Sequence, residues 1–453
     1  MTNTDRIGAV PEVALILAAG LGSRLRPQTK TPKPLAKVLG LTLAERVICT
    51  MLDVGVRRFL VSLGHEADTV RPHFSRIAQR RGVTVDFIEA TDWERGNGAS
   101  ALAAKGRTGK APFFLVMTDH LFDPGIVRAL ADDPPAPGEM RLAVDRDKAA
   151  IFDLDDVTRI KLDDGRIQAI EKLRGDWDAG DTGVMLCTLG LFEGLERAAA
   201  RNEHGLSDGL RELAGEGRAG TVDVTGLSWL DVDTPAALRE AERRLMHEQG
   251  RKTRDGPVSR HLNRPVSRWL SRYLVLTPVT PNQISLASWL LSCVAAGLMA
   301  MSGYPALAIG GVLAQLASII DGCDGEVARL KRCQSEFGGW FDAVLDRYAD
   351  AFLLFGLMWH EFAATGTALS VVLGFGAIVG SFLNSYSADK YDGLMAKRLQ
   401  GASYFRLGRD LRVFIIFLGA LLNLPLATLG FVALAMNVEV VRRIVVCARS
   451  ENI

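Results

Sequence analysis

The sequence predicts an α/β domain with a parallel sheet, followed by an all-α domain of six transmembrane helices. The chain has 453 residues and a net charge of +1, but its charged residues are unevenly distributed. Residues 1–280 contain 79 of them, and residues 281–453 contain 26. Residues 281–320 contain none, which is enough for two membrane spans of ~20 residues each. The average composition excludes a disordered chain, and the neutral net charge gives no case for nucleic-acid binding.

The α/β prediction rests on buried strands that alternate with helical patterns. Residues 13–17 form a continuous apolar run, and three further strand candidates follow, at residues 59–63, 84–88 and 113–117. Such an alternation predicts a parallel sheet with helices on both faces. Ligands of these sheets bind at the carboxyl ends of the strands, where Gly20–Arg24 and Asp119 fall.

A glycine loop follows the first strand directly, as Leu17-Ala-Ala-Gly-Leu-Gly-Ser-Arg24, and Thr31-Pro-Lys-Pro-Leu35 comes soon after it. Small residues let the backbone approach a phosphate, although a plain strand-to-helix turn has the same composition. Together the two segments resemble the signature of the sugar-1-phosphate nucleotidyltransferases. The resemblance implies a Rossmann-like α/β fold, with a nucleoside triphosphate bound by Gly20, Gly22, Arg24 and Lys33. Arg24 and Lys33 would act catalytically by offsetting charge as pyrophosphate leaves.

Further elements of the same family occur in the expected order. Asp119 ends a strand where the family has a metal-binding Asp, and Trp229-Leu-Asp231-Val-Asp233 resembles the second metal-binding element. We favour Asp231 over Asp233, because the family ligand directly follows the Trp-x pair. Glu171 and Lys172 resemble the pair that holds the sugar or polyol phosphate. Taken alone, Asp231 and Asp233 are typical of a helix N-cap region, and Glu171-Lys172 of a solvated strand edge.

Six apolar segments in the second half predict six membrane spans, near residues 283–302, 305–320, 339–360, 366–388, 411–424 and 426–441. Lys and Arg gather before the first span, after the second and fourth, and in the tail, whereas the other connections have none. Because cytoplasmic loops collect these residues, both termini are predicted to be cytoplasmic, in a multi-pass protein of the cell inner membrane.

The segment between the two halves is predicted to lie at the membrane surface. Residues 257–276 alternate Arg with apolar residues, and Trp269 and Tyr273 suit the headgroup level. We therefore expect a cytoplasmic domain over residues 1–248, a linker with an interfacial helix over 249–280, and a transmembrane domain over 281–453.

The membrane half carries four aspartates at helical spacing, two on each of two helices. Asp321 and Asp324 are three residues apart, and Asp342 and Asp346 are four apart, so each pair shares a helix face. Carboxylates are costly in a membrane unless they are paired, and oxygen ligands suit magnesium or manganese. Asp350 continues the series, and we expect for it a solvated or secondary position.

The full pattern, DxxDGxxAR followed after eight residues by GxxxDxxxD, identifies this half as a member of the CDP-alcohol phosphotransferases. The resemblance implies divalent cations on Asp321, Asp324, Asp342 and Asp346, with Asp346 also the general base. It also implies nucleotide binding by Gly325, Ala328, Arg329 and Gly338. An acceptor phosphate would be held by Lys390, Arg409 and Arg412, although these side chains are equally consistent with cytoplasmic loop charges.

The two halves together resemble the bifunctional inositol-1-phosphate cytidylyltransferase and di-inositol-phosphate-phosphate synthase family over nearly the whole chain. The resemblance implies that CTP and inositol 1-phosphate give CDP-inositol and pyrophosphate. Transfer of phosphoinositol to a second inositol 1-phosphate then gives CMP and the precursor of a compatible solute. Mg2+, with Mn2+ as a substitute, would serve both sites, and the membrane half would form a homodimer in the lipid bilayer.

Two alternatives remain open at this stage. In the first alternative, the acceptor is a lipid or another polyol, and the chain makes a membrane phospholipid. In the second, the N-terminal domain has lost catalysis and only senses nucleotide.

Overall fold

The computed structural model describes residues 10–171, 175–251, 256–395 and 408–451. The chain divides into two compact units, Met1–Arg244 and Leu245–Ile453. The first unit mixes strands and helices, whereas the second is helical throughout its described residues. The prediction of an α/β domain followed by an all-α domain is therefore confirmed.

The strands of the first unit include the four predicted from apolar runs. The strands are β1 (Val13–Ala18), β2 (Lys37–Val38), β3 (Leu41–Thr42), β4 (Arg58–Leu63), β5 (Thr84–Glu89), β6 (Phe113–Met117), β7 (His120–Phe122), β8 (Met140–Asp145), β9 (Arg159–Asp163), β10 (Arg166–Glu171), β11 (Ala179–Cys187), β12 (Ala219–Asp223) and β13 (Trp229–Asp231). The predicted runs correspond to β1, β4, β5 and β6. Strands β1, β4 and β6 are largely buried because helices cover both faces of the sheet, whereas β5 lies at the edge and only its Ile88 is buried.

A nine-stranded sheet forms the centre of this unit, in the order β5-β4-β1-β6-β11-β8-β12-β10-β9. The β5-β4-β1-β6 half is parallel, as predicted, and in its register Leu17 lies opposite both Ser62 and Met117. The loops after β1 and β6 therefore leave the same edge of the sheet. This register brings the glycine loop and Asp119 to one place.

The other half of the sheet is mixed. Strand β11 runs antiparallel to both β6 and β8, and β9 and β10 form a hairpin. The hairpin turns at Asp164 and Gly165, whose φ angles of 43° and 75° suit a two-residue turn. Short hairpin connections impose antiparallel pairing, which the alternation of strands and helices in the first half did not indicate.

Helices of the first unit pack on the two faces of this sheet. They are α1 (Arg26–Thr29), α2 (Leu43–Leu52), α3 (Ala67–Arg81), α4 (Asn97–Leu102), α5 (Pro124–Asp132), α6 (Gly190–Ala200), α7 (Leu206–Gly215) and α8 (Pro235–Arg251). One face of the sheet packs with Val47, Ile48, Phe74 and Ile126, and the other with Leu191, Phe192, Leu210 and Leu213. The strand ends that carry the predicted site are thus held by two hydrophobic cores.

The second unit contains the helix that was predicted at the membrane surface and six further helices after it. The helices are α9 (Arg264–Leu274), α10 (Pro281–Ala300), α11 (Tyr304–Leu330), α12 (Glu336–Thr365), α13 (Ala368–Met395), α14 (Arg409–Leu421) and α15 (Pro425–Glu451). On α9, Trp269 and Tyr273 are exposed with their rings 5.3 Å apart, whereas Ser267 and Ser271 are buried. This two-sided exposure is typical of a helix at a membrane surface.

Three of the described helices are long and apolar enough to cross a membrane, namely Pro281–Ala300, Tyr304–Leu330 and Ala368–Ala388. These apolar helices indicate a membrane protein. The other three predicted spans coincide with α12, α14 and α15, which are interrupted by charges or short. The count of six spans therefore stays a prediction.

Glycines allow the membrane helices to pack closely. A Cβ atom at Gly310 of α11 would lie 2.7 Å from the carbonyl oxygen of Ala295, and one at Gly356 of α12 would lie 2.6 Å from that of Ala296. Small residues at such contacts let helix backbones approach each other. Helices α11 and α12, which carry the four motif aspartates, are both held against α10 in this way.

Candidate active sites

The glycine loop of the first unit lies against Lys33. Gly22 has a φ of 60°, and a Cβ atom there would lie 2.6 Å from the Lys33 Cβ atom. Glycine is required at this position both by the left-handed backbone and by the approach of the lysine. The loop and the lysine, which were predicted together from the sequence, are therefore in direct contact.

Lys33 reaches two of the predicted metal ligands. Its Nζ atom lies 2.5 Å from Asp119 Oδ2 and 3.7 Å from Asp231 Oδ1. Strands β7 and β13 pair so that Asp231 lies opposite His120, and the amide of Val232 donates to the carbonyl of Asp119. This small two-stranded sheet fixes the distance between the two aspartates.

Asp119, His120 and Asp231 form a cluster whose potential ligand atoms all lie within 4.8 Å of one another. His120 Nδ1 lies 2.8 Å from Asp119 Oδ1, and a Cβ atom at Gly183 would clash with the His120 ring. His120 was not among the predicted ligands, although it directly follows Asp119 in the sequence. Asp233 lies outside this cluster, so the geometry favours Asp231 as the ligand.

The pKa values in this cluster reflect burial and close charges. Burial by itself would raise the pKa of Asp119, but Lys33 and His120 outweigh it and hold that pKa well below its usual range. Burial and the Asp119 carboxylate raise the pKa of Asp231 to about 6. Burial would lower the pKa of His120, but Asp231 and Asp119 raise it to about 9. Two carboxylates, Lys33 and His120 are thus held close together, and each of these charges shifts the pKa values of the others.

Arg24 is bound by two carboxylates of the first unit. Its Nη1 atom lies 2.7 Å from Asp156 Oδ2, and its Nη2 atom lies 2.5 Å from Asp233 Oδ2. The Asp156 hydrogen bond is the main cause that raises the pKa of Arg24. Asp233 was the alternative metal ligand to Asp231. It forms an ion pair with Arg24, the arginine that was predicted to bind phosphate.

A cavity of about 220 Å3 opens beside the cluster. Its lining includes Asn97, His120, Thr158, Asp181, Trp229 and Asp231. Trp229 donates from its indole nitrogen to Asp145 at 2.8 Å, which fixes the ring at the cavity wall. The Lys172 residue and the side chain of Glu171, predicted to bind the substrate phosphate, lie outside the described residues.

In the second unit, the start of α10 presents a row of serines to the motif aspartates. Thr280 caps this helix by accepting from the Gln283 amide at 3.3 Å, and Gln283 Oε1 accepts from the Thr280 amide at 2.9 Å. Ser285 then donates to Asp324 at 2.5 Å, and Ser288 donates to Asp321 at 3.0 Å. The cap at Thr280 thus fixes the start of the helix that holds these carboxylates.

Asp321, Asp324 and Asp342 bring one carboxylate oxygen each within 4.8 Å of one another. The predicted pair on α11 and Asp342 of α12 therefore converge in space, whereas Asp346 is not part of this cluster. Beside them lies a cavity of about 170 Å3, lined by the predicted nucleotide-binding residues Gly325, Ala328 and Gly338. The guanidinium of Arg329, also predicted to bind nucleotide, lies beside Gly325.

Asp346 contacts an arginine from another helix. Arg409 Nη1 lies 2.8 Å from Asp346 Oδ1 and 2.6 Å from Asp321 Oδ2. Arg409 and Arg412 begin α14, and Arg412 is only 2% exposed. Burial argues against the alternative that these two arginines are loop charges facing the cytoplasm. The side chain of Lys390 lies outside the described residues.

The expectation of a solvated position for Asp350 is wrong. Asp350 is 3% exposed, and its Oδ2 atom accepts from Arg412 Nη2 at 2.5 Å. A buried carboxylate requires a partner, and α14 provides one. Asp350 lies on the same face of α12 as Asp342 and Asp346, so helical spacing could have indicated that it points inward. Its partner Arg412 could not be found in this way, because it is 62 residues away in the sequence.

Comparison with known proteins finds relatives of both domains. A family model described as a MobA-like NTP transferase domain matches residues 14–176, and one described as CDP-alcohol phosphatidyltransferase matches residues 278–441. The chain is 37% identical over 441 residues to a protein of Rubrobacter xylanophilus, across 97% of both chains. That protein is named bifunctional IPC transferase and DIPP synthase. The chain belongs to the bifunctional IPC transferase and DIPP synthase family.

Another bifunctional IPC transferase and DIPP synthase, from Aquifex aeolicus, is 33% identical and aligns over 95% of this chain and 96% of its own. A solved structure, the inositol-1-phosphate CTP transferase from T. maritima, covers 52% of this chain and 96% of that chain, at 23% identity and a TM-score of 0.47. Membership confirms the predicted enzyme class, since this bifunctional family joins a nucleotidyltransferase to a CDP-alcohol phosphotransferase.

Proposed function

We propose that the chain catalyses two consecutive reactions. The first unit would convert CTP and inositol 1-phosphate into CDP-inositol and pyrophosphate. The second would transfer phosphoinositol from CDP-inositol to another inositol 1-phosphate, which releases CMP. The observation that carries the proposal is the 37% identity, over 97% of the chain, to a relative whose name contains both activities.

In the first reaction, a phosphate oxygen of inositol 1-phosphate attacks the α-phosphorus of CTP. The bond from this phosphorus to the β-phosphate oxygen breaks, and pyrophosphate leaves. Lys33 lies against Gly22 of the glycine loop and Arg24 is the last residue of that loop, so we assign both to the triphosphate. They would neutralise charge that accumulates on the leaving pyrophosphate. Gly20 and Gly22 would give the phosphates access to the loop backbone.

The donor groups at both sites fit a divalent cation such as Mg2+ or Mn2+. Asp231 Oδ1 is buried and receives no hydrogen bond from the described residues, and three carboxylates converge in the second unit. We assign Asp119 and Asp231 to the cation of the first site, and Asp321, Asp324, Asp342 and Asp346 to the cations of the second. Bound cations supply positive charge that stabilises the attacking and leaving phosphate oxygens.

In the second reaction, we assign the role of general base to Asp346. Its carboxylate would take the proton from the acceptor hydroxyl, whose oxygen then attacks the phosphorus that bears the inositol. The bond to the CMP oxygen breaks as CMP leaves. Asp346 lies one helical turn after Asp342 of the carboxylate cluster, and its contact with Arg409 holds it beside Asp321, which supports a place next to the reacting groups. Gly325, Ala328, Arg329 and Gly338 would hold the cytidine diphosphate.

We infer that Arg409 and Arg412 bind the phosphate of the acceptor, with Lys390 as a third candidate. Glu171 and Lys172 would hold the inositol 1-phosphate of the first reaction. Residues 1–248 would form the cytoplasmic domain, residues 249–280 the interfacial linker, and residues 281–453 a homodimeric domain with six spans in the inner membrane. The charge pattern of the connections supports this topology.

The decisive experiment incubates the purified protein with CTP, inositol 1-phosphate and Mg2+, and identifies the products by mass. We expect pyrophosphate, CMP and a water-soluble phosphorylated di-inositol phosphodiester. Label from inositol 1-phosphate that enters only a lipid extract would overturn the assignment of a soluble acceptor. Failure to release pyrophosphate from CTP would indicate instead that the first unit only binds nucleotide.

A further inference from the structure

Asp350 is a buried carboxylate outside the aspartate motif. It lies one helical turn after Asp346 on α12 and is 3% exposed. Asp350 does not line the nucleotide cavity beside Gly325, and it is not part of the cluster of Asp321, Asp324 and Asp342. Because a buried charge is expensive, its presence requires a specific set of partners.

Those partners are the two arginines that begin α14. Asp350 Oδ2 accepts from Arg412 Nη2 at 2.5 Å, and Asp350 Oδ1 lies 3.4 Å from Arg409 Nε. One carboxylate of α12 therefore contacts both guanidinium groups. Ser385 of α13 adds a weaker contact, at 3.4 Å from Arg412 Nη2.

Arg409 is shared with groups that take part in the chemistry. It also contacts Asp321 and Asp346, which are assigned to the cations and to proton abstraction. Arg409 contacts three carboxylates, and Asp350 is the one to which we assign neither cation binding nor proton abstraction. It can therefore hold the guanidinium in place while the other two act on substrate or cation.

Arg412 retains an unused donor. Its Nε atom is buried and forms no hydrogen bond within the part of the chain that the structure describes. An unpaired buried donor on a guanidinium is a position where an oxyanion can bind. This observation, which is independent of the ion pairs, indicates an anionic ligand at the start of α14.

We propose that Asp350 is a positioning residue for the acceptor, one that orients Arg409 and Arg412 towards the phosphate of inositol 1-phosphate. The inference rests on the proposed function, because it assumes that the acceptor is phosphorylated. Asp350 itself does not touch the acceptor. It fixes two flexible side chains in advance, so that less conformational freedom is lost when the phosphate binds.

The test compares wild-type protein with Asp350→Asn in the transfer step, supplied with CDP-inositol and Mg2+. We expect the KM for inositol 1-phosphate to rise about 10–100-fold, as is typical when an outer partner of a binding group is removed. The KM for CDP-inositol should stay within about twofold, because the nucleotide cavity does not include Asp350. The matched control is Glu361→Gln, which makes the same chemical change at the other end of α12.

A second readout separates positioning from general damage. With unphosphorylated inositol as acceptor, wild-type protein and Asp350→Asn should turn over at the same rate, because no phosphate is present. An unchanged KM for inositol 1-phosphate, or an equal rise in both KM values, would overturn the proposal. If Asp350→Asn does not fold, Asp350→Glu serves in its place, because it keeps the charge and moves the carboxylate by one methylene.

The wild-type measurements separate this inference from the proposed function. If wild-type protein does not use inositol 1-phosphate as acceptor, the proposed function fails, and the role of Asp350 fails with it. If wild-type protein uses it and Asp350→Asn keeps the wild-type KM, only the role of Asp350 is rejected.

Discussion

At the scale of single residues, the membrane site depends on hydroxyl groups as well as carboxylates. Ser285 and Ser288 of α10 donate to Asp324 and Asp321, so each of these carboxylates has one oxygen fixed from a neighbouring helix. Both serines are buried, at 3% and 2% exposure. Hydrogen bonds of this kind orient metal ligands before the cation binds.

Ser288→Ala should therefore weaken cation binding in the second unit. We expect the dissociation constant for Mn2+ to rise about tenfold, since partners of metal ligands typically contribute 10–100-fold to affinity. Titration of Mn2+ followed by electron paramagnetic resonance measures this constant without requiring turnover. Asp119→Ala should serve as the background for both proteins, because it removes a ligand of the other site.

Ser292→Ala is the matched control for this measurement. Ser292 is also buried on α10, but its hydroxyl donates to the backbone oxygen of Ser288 and touches no carboxylate. Equal losses of Mn2+ affinity in the two variants would show that the serine row acts only through helix stability.

At the scale of secondary-structure elements, the interfacial helix α9 is attached to the helix that carries the first two motif aspartates. Arg264 Nη1 donates to Glu326 Oε1 at 2.8 Å and to the Gly322 carbonyl at 3.1 Å. Ser267 donates to the same Glu326 oxygen at 2.8 Å. Glu326 is 1% exposed, so this charge depends on α9 for its neutralisation.

Arg264→Ala should destabilise the membrane domain. Removing one partner of a buried ion pair leaves an uncompensated charge, which costs about 3–5 kcal/mol. Thermal unfolding in detergent should show a clear fall in Tm. Arg260→Ala removes an equal charge from an exposed position nearby and should change the stability by less than about 0.5 kcal/mol. Similar Tm values for both variants would contradict the anchoring role of Glu326.

At the scale of the whole molecule, the two acidic clusters belong to different compact units. Asp119 and Asp231 lie in Met1–Arg244, and the four motif aspartates lie in Leu245–Ile453. The nearest basic partners are also separate, since Lys33 contacts the first cluster and Arg409 the second. Each unit therefore contains its own cluster of acidic groups with a basic partner.

The two reactions should consequently be separable by mutation. Asp346→Asn should abolish CMP release and leave pyrophosphate release within about twofold, because Asp346 is the proposed base of the second step and belongs to the second unit alone. Asp119→Ala should abolish pyrophosphate release, but it should still release CMP when CDP-inositol is supplied. Both products are measured in each variant by coupled assays, and loss of both steps in either variant would contradict independent sites.

Removal of the divalent cation should stop both reactions, because both clusters fit one. We expect EDTA to reduce the two rates to background, and added Mg2+ or Mn2+ to restore them. The two clusters offer different ligand atoms to a cation. The first includes the imidazole of His120, whereas the second consists of carboxylates alone. A reaction that continues in EDTA would reject the metal assignment at its own site.

The two domains, the glycine loop and the motif aspartates could be predicted from local spacing in the sequence. Helical periodicity places Asp321 with Asp324, and Asp342 with Asp346, whatever the packing. A continuous apolar strand followed by glycines is likewise a local pattern. The charge pattern of the second half predicted membrane character before any contact was known.

Only the tertiary structure decided which charges meet. The pairs Asp350–Arg412, Arg24–Asp156 and Glu326–Arg264 join residues 62, 132 and 62 positions apart, so that no local spacing predicts them. The same holds for the mixed half of the sheet, whose strand order is set by packing and hairpin connections. The physical reason is burial. A charge that is removed from water requires a partner, and only the fold places that partner beside it.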